Sequence, residues 1–258
     1  MAGGGVGRDG PDVKVGITLP QFSDRADLVV AAARRAELLG IDGVFCFDHI
    51  WPIGQPGRPA LSPGPLLGAL SVSTSSIAVG TLVARVGLVP DARLVAVLAS
   101  LASLSDGRFI AGIGTGDRLS HPENEAFGIP FGSADTRRER LVAVASAVRR
   151  LGIPVWVGGG APRTISTAAS IGAAVNLWEG GTSRVAELTA TGTEVTWGGP
   201  VGEDPDRAAS KLAELAEAGA TWAVCAWPES LDAVAEAADR VRGLSGVSGV
   251  SEAGEPGK

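Results

Sequence analysis

Short apolar runs and longer amphipathic runs alternate along the chain, and this alternation limits the possible folds more than any other feature. The short runs have the length and the Val, Ile and Ala content of buried strands. Each is followed by a run with apolar residues at helical spacing. The predicted strands span residues 13–19, 41–47, 77–83, 109–113, 153–157, 173–176, 194–197 and 221–226. The predicted helices span residues 26–39, 63–74, 92–104, 136–151, 163–171, 183–191, 206–218 and 231–241.

Eight strand-then-helix units predict one α/β domain folded as a (β/α)8 TIM barrel, whose usual length is about 250 residues. The rival is a doubly wound open sheet, which usually has fewer strands and leaves edges that need to be covered. We predict a single barrel over residues 13–243. The Gly-rich, polar segment 1–12 and the segment 244–258, which is rich in Gly, Ser and Glu, are predicted to be disordered.

The charge and hydropathy of the chain restrict what it binds. A net charge of −6 and a pI of about 5.0 argue against a nucleic-acid groove, which requires a basic patch. No apolar run approaches the roughly 18 residues of a membrane span, and the first residues lack the apolar centre of a secretory signal. We therefore expect a cytoplasmic protein that acts on a small molecule and binds neither membrane nor nucleic acid.

Cys46 and Cys225 both lie within apolar runs, which favours buried free thiols over a disulfide in a cytoplasmic protein. The Cys and His residues lack the spacing of a metal site, so no metal is expected. The chain also lacks the Gly-x-Ser-x-Gly segment of a nucleophilic hydrolase. The candidates for a functional site are therefore other polar residues at the ends of predicted strands.

The second predicted strand ends in Asp48 and His49, two polar residues that are costly to bury. In a parallel barrel the carboxyl ends of the strands form the ligand-binding face. A histidine near a core is often structural, but at this position it is placed for proton transfer. We predict that His49 is the acid/base and that Asp48 orients it. Trp51 follows on the same loop, where it could stack on an aromatic ligand.

Three consecutive glycines, Gly158, Gly159 and Gly160, follow the fifth predicted strand and precede a helix that begins near Arg163 and Thr164. Glycines let backbone N–H groups approach an anion, and the N-terminus of a helix favours negative charge. This arrangement predicts a phosphate-binding turn. The simpler alternative is a strand-to-helix turn that needs a positive φ at one position.

The loop after the fourth predicted strand is the longest. It begins with Gly114, Thr115 and Gly116, which would let a flat ring lie against the backbone but match neither a dinucleotide fingerprint nor a P-loop. It continues with four titratable residues, Asp117, His121, Glu123 and Glu125. Exposed acidic loops are usually solvated, but at a barrel mouth one of these carboxylates is a candidate acid or base.

Several short segments, taken in order along the chain, form a specific set. They are Ala36-Glu37-x-x-Gly40-x-Asp42-Gly43-Val44 leading to Asp48-His49, Gly80-Thr81-Leu82-Val83, Leu104-Ser105-Asp106-Gly107-Arg108, Glu123-Asn124-Glu125-Ala126-Phe127-Gly128 and Pro154-Val155-Trp156-Val157-Gly158-Gly159. In this set the chain resembles the bacterial luciferase-like family of TIM-barrel oxidoreductases, which use reduced FMN or the deazaflavin coenzyme F-420. Both cofactors carry a phosphate and a flat tricyclic ring, in agreement with the turn and the ring platform predicted above.

The resemblance implies a cofactor site at the barrel mouth. Gly158–Gly160, Arg163 and Thr164 would hold the cofactor phosphate, and Gly114–Asp117 would line the same pocket. Members of the deazaflavin branch often have a non-prolyl cis peptide in the third strand that bulges against the ring. The matching segment here is Thr81, Leu82 and Val83, with the cis bond between Leu82 and Val83.

In the deazaflavin-dependent sugar-phosphate dehydrogenases of this family, the histidine after the second strand is the base, and a tryptophan and a glutamate complete the site. His49 and Trp51 match two of these positions. The third is Asp117, whose side chain is shorter, and Glu125 is the alternative proton donor.

The family usually carries an insertion before the fifth strand, whereas here residues 151–154 join helix and strand almost directly. The resemblance therefore implies a trimmed member of the family.

We predict an oxidoreductase that transfers hydride between coenzyme F-420 and a small organic substrate. One alternative is an FMN-dependent two-component monooxygenase, which would receive reduced FMN from a separate flavin reductase. Another is a non-catalytic barrel that binds a flavin or a metabolite. A phosphate-binding aldolase or isomerase is disfavoured because neither Lys14 nor Lys211 ends a predicted strand. Family members are often dimeric, which leaves a homodimer open.

Overall fold

The structure is a computed structural model that describes residues 13–228 and 230–247. Its strands are β1 (Lys14–Thr18), β2 (Gly43–Cys46), β3 (Ala78–Arg85), β4 (Phe109–Gly114), β5 (Val155–Gly158), β6 (Ala174–Trp178), β7 (Val195–Gly199) and β8 (Ala220–Cys225). Its helices are α1 (Ala26–Leu38), α2 (Pro63–Ser73), α3 (Asp91–Leu104), α4 (His121–Ala126), α5 (Ala134–Arg150), α6 (Pro162–Ile171), α7 (Thr182–Thr189), α8 (Pro205–Glu217) and α9 (Leu231–Val247). Each strand pairs in parallel with the next, and β8 pairs with β1 to close the barrel. The predicted (β/α)8 TIM barrel is confirmed.

The lower half of the barrel is filled by inward-pointing aromatic side chains. The Phe45 ring stacks on Trp156 with centroids 5.1 Å apart and meets the edge of Trp222 at 5.8 Å. Glycines make room for these rings, because a Cβ added at Gly16 or Gly43 would lie 2.8 Å or 2.9 Å from Phe45 Cε2. Since this level is packed solid, the space for a ligand lies at the upper end, where the strands lead into the loops.

A second apolar layer lies between the outer face of the barrel and the helices. Ile17 and Val44 point outward from their strands and belong to the same buried cluster as Leu67 of α2 and Leu98 of α3. Alternate residues of each strand thus serve the two layers, which explains why the strand sequences are almost continuously apolar.

Cys46 and Cys225 belong to the outer layer and are buried as free thiols, as predicted. Burial raises the pKa of both thiols, that of Cys225 to about 12. Neither is therefore a thiolate near neutral pH, and both act as small apolar side chains.

Three departures from the predicted elements are informative. The loop after β4 contains the short helix α4, which the sequence pattern does not predict, and β3 continues to Arg85, beyond the predicted end at residue 83. Both changes bear on the site described below. Helix α9 runs to Val247, beyond its predicted end at residue 241 and into the segment predicted to be disordered. The predicted disorder of residues 1–12 and 248–258 lies outside the described residues.

Within the described ranges, no helix combines the length and the apolar character needed to cross a membrane. In the same ranges, no three His, Cys, Asp or Glu side chains are grouped as metal ligands.

Candidate active site

A buried carboxylate holds His49 at the upper end of the barrel. His49 Nδ1 lies 2.7 Å from Glu123 Oε1, and the two side chains are 16% and 0% exposed. His49 comes from the loop after β2, whereas Glu123 comes from α4 in the loop after β4. Two loops that are distant in sequence thus build one site, as the carboxyl ends of barrel strands allow.

Arg85, at the end of β3, binds the second oxygen of Glu123. Its Nη2 donates to Glu123 Oε2 at 2.7 Å, and the Ile50 N–H donates to the same oxygen at 3.0 Å. The Arg85 side chain is only 4% exposed, so the ion pair is shielded from water and each charge depends on the other. Glu123 is therefore fixed at both oxygens.

Asp48 is bound to Arg85 rather than to His49. Asp48 Oδ2 accepts the backbone N–H of Arg85 at 2.9 Å, and the Asp48 carbonyl accepts Arg85 Nε at 2.7 Å. The prediction that Asp48 orients His49 is therefore wrong, since Glu123 makes that hydrogen bond. Successive residues of an extended chain point to opposite sides, so adjacency in sequence did not put the two side chains together.

The electrostatics of the cluster keep Glu123 ionised. Burial alone would raise the pKa of Glu123. Hydrogen bonds from His49 and Ile50, together with the charge of Arg85, lower this pKa by more than burial raises it. The pKa of Glu123 therefore lies below its ordinary value. Burial raises the pKa of Asp48, and the N–H and charge of Arg85 offset that rise only in part. An ionised Glu123 can only accept a hydrogen bond, so it favours the tautomer of His49 that carries its proton on Nδ1.

Val83 forms the floor of the barrel mouth. The predicted non-prolyl cis peptide between Leu82 and Val83 is present. The Val83 side chain lies against β4 and β5, because a Cβ added at Gly112 or Gly158 would lie 3.2 Å or 2.8 Å from Val83 Cγ1. Val83 is also the nearest neighbour of a Cβ added at Gly114. Glycines around one apolar side chain leave a flat surface that a ring system can approach closely.

Buried polar side chains lie beside this platform. Thr81 Oγ1 donates to the Gly112 carbonyl at 2.7 Å, and Asn176 Nδ2 donates to Thr196 Oγ1 at 3.0 Å. Asn176 pairs in register with Gly158, so it lies at the level of the platform. Asn176 and Thr196 could not be recognised from the sequence, since one polar residue within an apolar strand carries no distinctive signal.

The glycine turn after β5 has some of the features of a phosphate site. Helix α6 begins without a side chain that caps its N-terminus, so the start of the helix is open to an anion. Arg163 is exposed there and lies 3.4 Å from Asp135. The N–H of Gly159, however, already donates to the Asn176 carbonyl at 3.0 Å, and its φ is +124°. The N–H of Gly159 is thus used in a hydrogen bond within the protein, and its positive φ is explained by the turn. Arg163 and Thr164 are the remaining candidate phosphate ligands.

Trp51 and the start of the loop after β4 border the mouth. The half-buried Trp51 ring lies 5.7 Å from the ring of Phe127, so the tryptophan packs on the neighbouring loop. Gly116 has a φ of +66°, which suits glycine, and its carbonyl accepts Thr115 Oγ1 at 3.0 Å.

The two carboxylates predicted as proton donors are not brought to His49. Asp117 is exposed, and its Oδ1 accepts the Leu119 N–H at 2.9 Å within its own loop. The Glu125 side chain is 71% exposed and lies 3.9 Å from His121. The structure therefore corrects the prediction for Asp117 and Glu125.

The part of the chain that carries the His49 cluster matches a known family. The sequence profile of the luciferase-like monooxygenases matches residues 9–152, more than half of the chain. The chain belongs to this family. The match includes His49, Arg85 and Glu123 and ends before the glycine turn of this luciferase-like chain.

Curated relatives of this luciferase-like chain include two enzymes named for coenzyme F-420. It is 33% identical over 145 residues to the F420-dependent hydroxymycolic acid dehydrogenase of Mycobacterium tuberculosis, covering 56% of this chain and 38% of the relative. It is 32% identical over 142 residues to the F420-dependent glucose-6-phosphate dehydrogenase of Nakamurella multipartita, covering 53% of this chain and 37% of the relative. The chain thus spans less than two-fifths of the length of either relative.

Solved structures share the fold of this luciferase-like chain. An F420-dependent secondary alcohol dehydrogenase in complex with an F420-acetone adduct superposes with a TM-score of 0.76 at 14% identity, covering 90% of this chain and 99% of that chain. The EDTA monooxygenase from Chelativorans sp. BNC1 superposes with a TM-score of 0.70 at 14% identity, covering 93% and 94%. At these identities the likeness establishes the barrel fold alone.

The trimmed connection implied by the resemblance is present in the structure. Helix α5 ends at Arg150 and β5 begins at Val155, so only residues 151–154 join them. This connection leads into the amino-terminal end of β5, so it lies on the face of the barrel opposite the mouth.

Proposed function

We propose that this protein is an F-420-dependent oxidoreductase that transfers hydride between the deazaflavin and a small organic substrate, with His49 as the acid/base. The observation that carries the proposal is the contact between His49 Nδ1 and the fully buried Glu123. A buried carboxylate that fixes an imidazole is the arrangement required for directed proton transfer. F-420 is favoured over FMN because both curated relatives described above are named as F420-dependent.

The residues of the barrel mouth fit a flat cofactor that bears a phosphate. Val83, with Gly114 and Gly158 beside it, offers an apolar surface on which a ring can lie. The uncapped start of α6 offers the N–H of Arg163, the cation of its side chain and the hydroxyl of Thr164 for a phosphate. When bound, F-420 supplies the ring position that exchanges hydride.

His49 accepts and returns the proton that accompanies hydride transfer. Because both relatives are named dehydrogenases, we take an alcohol as the reduced form of the substrate. His49 Nε2 accepts the hydroxyl proton as the alcohol becomes a carbonyl compound, and it returns the proton in the reverse direction. Glu123 holds Nδ1 and stabilises the positive charge on the ring, while Arg85 keeps Glu123 ionised.

The proposal is tested by titrating the purified protein with F-420 and, separately, with FMN, followed by tryptophan fluorescence and cofactor absorbance. We expect saturable binding of F-420 and weaker binding of FMN. Tight binding of FMN alone would contradict the proposal in favour of the two-component monooxygenase, which needs a flavin reductase partner. Binding of neither cofactor would contradict an oxidoreductase of either kind.

A cytoplasmic location and a homodimer complete the proposal. The location is supported by two buried free thiols, as expected in a reducing compartment. The homodimer is supported by the family resemblance, and sedimentation velocity of the purified protein tests it.

A further inference from the structure

An apolar groove opens between the loop after β1 and the loop after β8 and runs along α1. It has a volume of about 890 Å³, and we refer to it as the α1 groove. Its lining includes four aromatic side chains, Phe22, Phe47, Trp178 and Trp227, and, along α1, Leu28 and Ala31. Its volume is in the range of small-molecule sites, which is about 300–1,000 Å³.

One ion pair between α1 and α9 involves the lining of the groove. Arg35 of α1, which lines the groove, pairs with Asp232 of α9 at 2.7 Å. The apolar side chains of the lining stay partly open to water, and Leu28 is 52% exposed. Exposure of large apolar side chains along one groove marks a binding surface.

The part of the groove that Phe47 lines lies next to the proposed active site. The Phe47 ring lies 6.4 Å from the His49 ring and 5.5 Å from Trp178 in an edge-on arrangement. The loops after β1 and β8, which supply most of the lining, lie across the barrel mouth from the glycine turn after β5, and Trp178 reaches the groove from the end of β6. A cofactor phosphate at that turn would leave the groove side of the mouth for the substrate.

The charges in the groove indicate a neutral ligand. Among the described residues of the lining, Arg35 is the one with a charged side chain, and its ion pair with Asp232 neutralises that charge. The Thr18 hydroxyl accepts the Trp227 N–H at 2.8 Å and is therefore also engaged. In the described part of the lining, neither a free cation nor a cluster of donors is present to bind a phosphate or a carboxylate. The groove also has length, because its α1 lining runs from Leu28 to Arg35, about 10 Å along the helix.

We propose that the α1 groove binds the alkyl chain of a neutral aliphatic alcohol, or of the corresponding carbonyl compound, with the oxygen of the substrate at His49. This inference rests on the proposed function and adds the substrate class. An aliphatic chain suits the groove because its lining offers apolar contact and few polar partners.

Calorimetric titration of the full chain with a series of primary alcohols from hexanol to dodecanol, without and with F-420, tests the proposal. We expect the affinity to rise up to about fourfold with each added methylene and to level off once the groove is filled. A negative heat-capacity change should accompany binding. Ala31→Trp, which narrows the groove from an exposed helix position, should weaken dodecanol binding at least about tenfold.

Val72→Trp is the matched control, because Val72 is 70% exposed on α2 and is not part of the groove. It should leave the affinity for dodecanol unchanged. An affinity that does not depend on chain length, or that Ala31→Trp leaves unchanged, would overturn the proposal. So would a concentration-dependent dimer, seen by sedimentation, that Ala31→Trp disrupts while dodecanol fails to bind, because a second copy would then cover the groove.

The cofactor titration separates this inference from the proposed function. Binding of F-420 without chain-length dependence for the alcohols overturns the groove and leaves the oxidoreductase standing. If the affinity for the alcohols depends on chain length but the protein binds neither F-420 nor FMN, the proposed oxidoreductase function is overturned. The groove would then bind alkyl chains without being a substrate site.

Discussion

The rim above β2, β3 and β4 differs in kind from the rim above β8 and β1. The first contains buried charges, with Glu123 bound to both His49 and Arg85. The second is apolar and partly open, with Leu28 and Trp227 52% and 40% exposed. Charges shielded from water hold one geometry, whereas apolar contact is not directional. Under the two proposals above, the charged rim carries out the proton transfer and the apolar rim binds the substrate.

Glu123→Ala should have the largest effect on stability, because it leaves Arg85 buried without its carboxylate. We expect a loss of about 3–5 kcal/mol in the free energy of unfolding, measured by urea denaturation at neutral pH. A loss below about 1 kcal/mol would mean that the charged rim is no more constrained than the apolar one.

Glu123→Gln is the matched control, because it keeps the shape and removes the charge. The pKa of Glu123 in the folded protein lies below its ordinary value of 4.5, so its contribution to stability is fully present above that value and is lost as the pH falls through the folded pKa. The difference in unfolding free energy between wild type and Glu123→Gln should therefore shrink as the pH falls below about 4.5. A difference that stays constant or grows as the pH falls below that value would show that the carboxylate is not stabilised by its charge.

His49→Ala should lower the turnover of F-420 with an alcohol by about 10²–10⁴-fold, because the variant lacks the group that accepts the hydroxyl proton. The free energy of unfolding should change by only about 1 kcal/mol, since Arg85 and Ile50 still bind Glu123. His121→Ala is the control, because His121 is 49% exposed and does not contact the cluster around Glu123. Equal turnover of the two variants would remove His49 from the reaction.

Arg163→Ala tests whether the cofactor phosphate lies opposite the groove. Loss of one exposed cation should weaken F-420 binding about threefold, because exposed charge pairs contribute only about 0.2–1 kcal/mol. Arg184→Ala, in the first turn of α7, is the control and should leave the affinity unchanged. If the two variants bind F-420 equally well, the start of α6 does not hold the phosphate.

Leu28→Ser should have the smallest effect on stability, within about 0.5 kcal/mol, because the side chain is already 52% exposed. It should nevertheless weaken the binding of dodecanol. A large loss of stability would show that the α1 groove is part of the core and not a binding surface.

The sequence predicted the barrel well because its fold follows from local patterns. All eight strands and the helices that follow them lie where hydrophobic periodicity indicated, with ends displaced by a few residues. The short helix α4 was not predicted, because six residues that include Pro122 are too few for a readable period. The cis peptide at Leu82–Val83 was predicted by the family resemblance and not by any local pattern.

The site was predicted only in part because its contacts join distant loops. His49 was identified from its place at the end of a strand, but its partner lies 74 residues away on α4. Without α4, Glu123 could not be distinguished from Glu125, although positions two apart on a helix face different directions. Arg85 was missed because it lies past the predicted end of β3 and because a buried arginine is rare.

The central claim is that Glu123 holds the proton on His49 Nδ1 and leaves Nε2 for the substrate. The chain has two histidines, so ¹⁵N NMR of the imidazole nitrogens, recorded for wild type and for His121→Asn, isolates the signals of His49. When the ring is neutral, we expect His49 to carry its proton on Nδ1, and we expect Glu123→Ala to abolish that preference. A proton on Nε2 in the wild-type protein would contradict the account, because the buried carboxylate would then not direct the ring toward the barrel mouth.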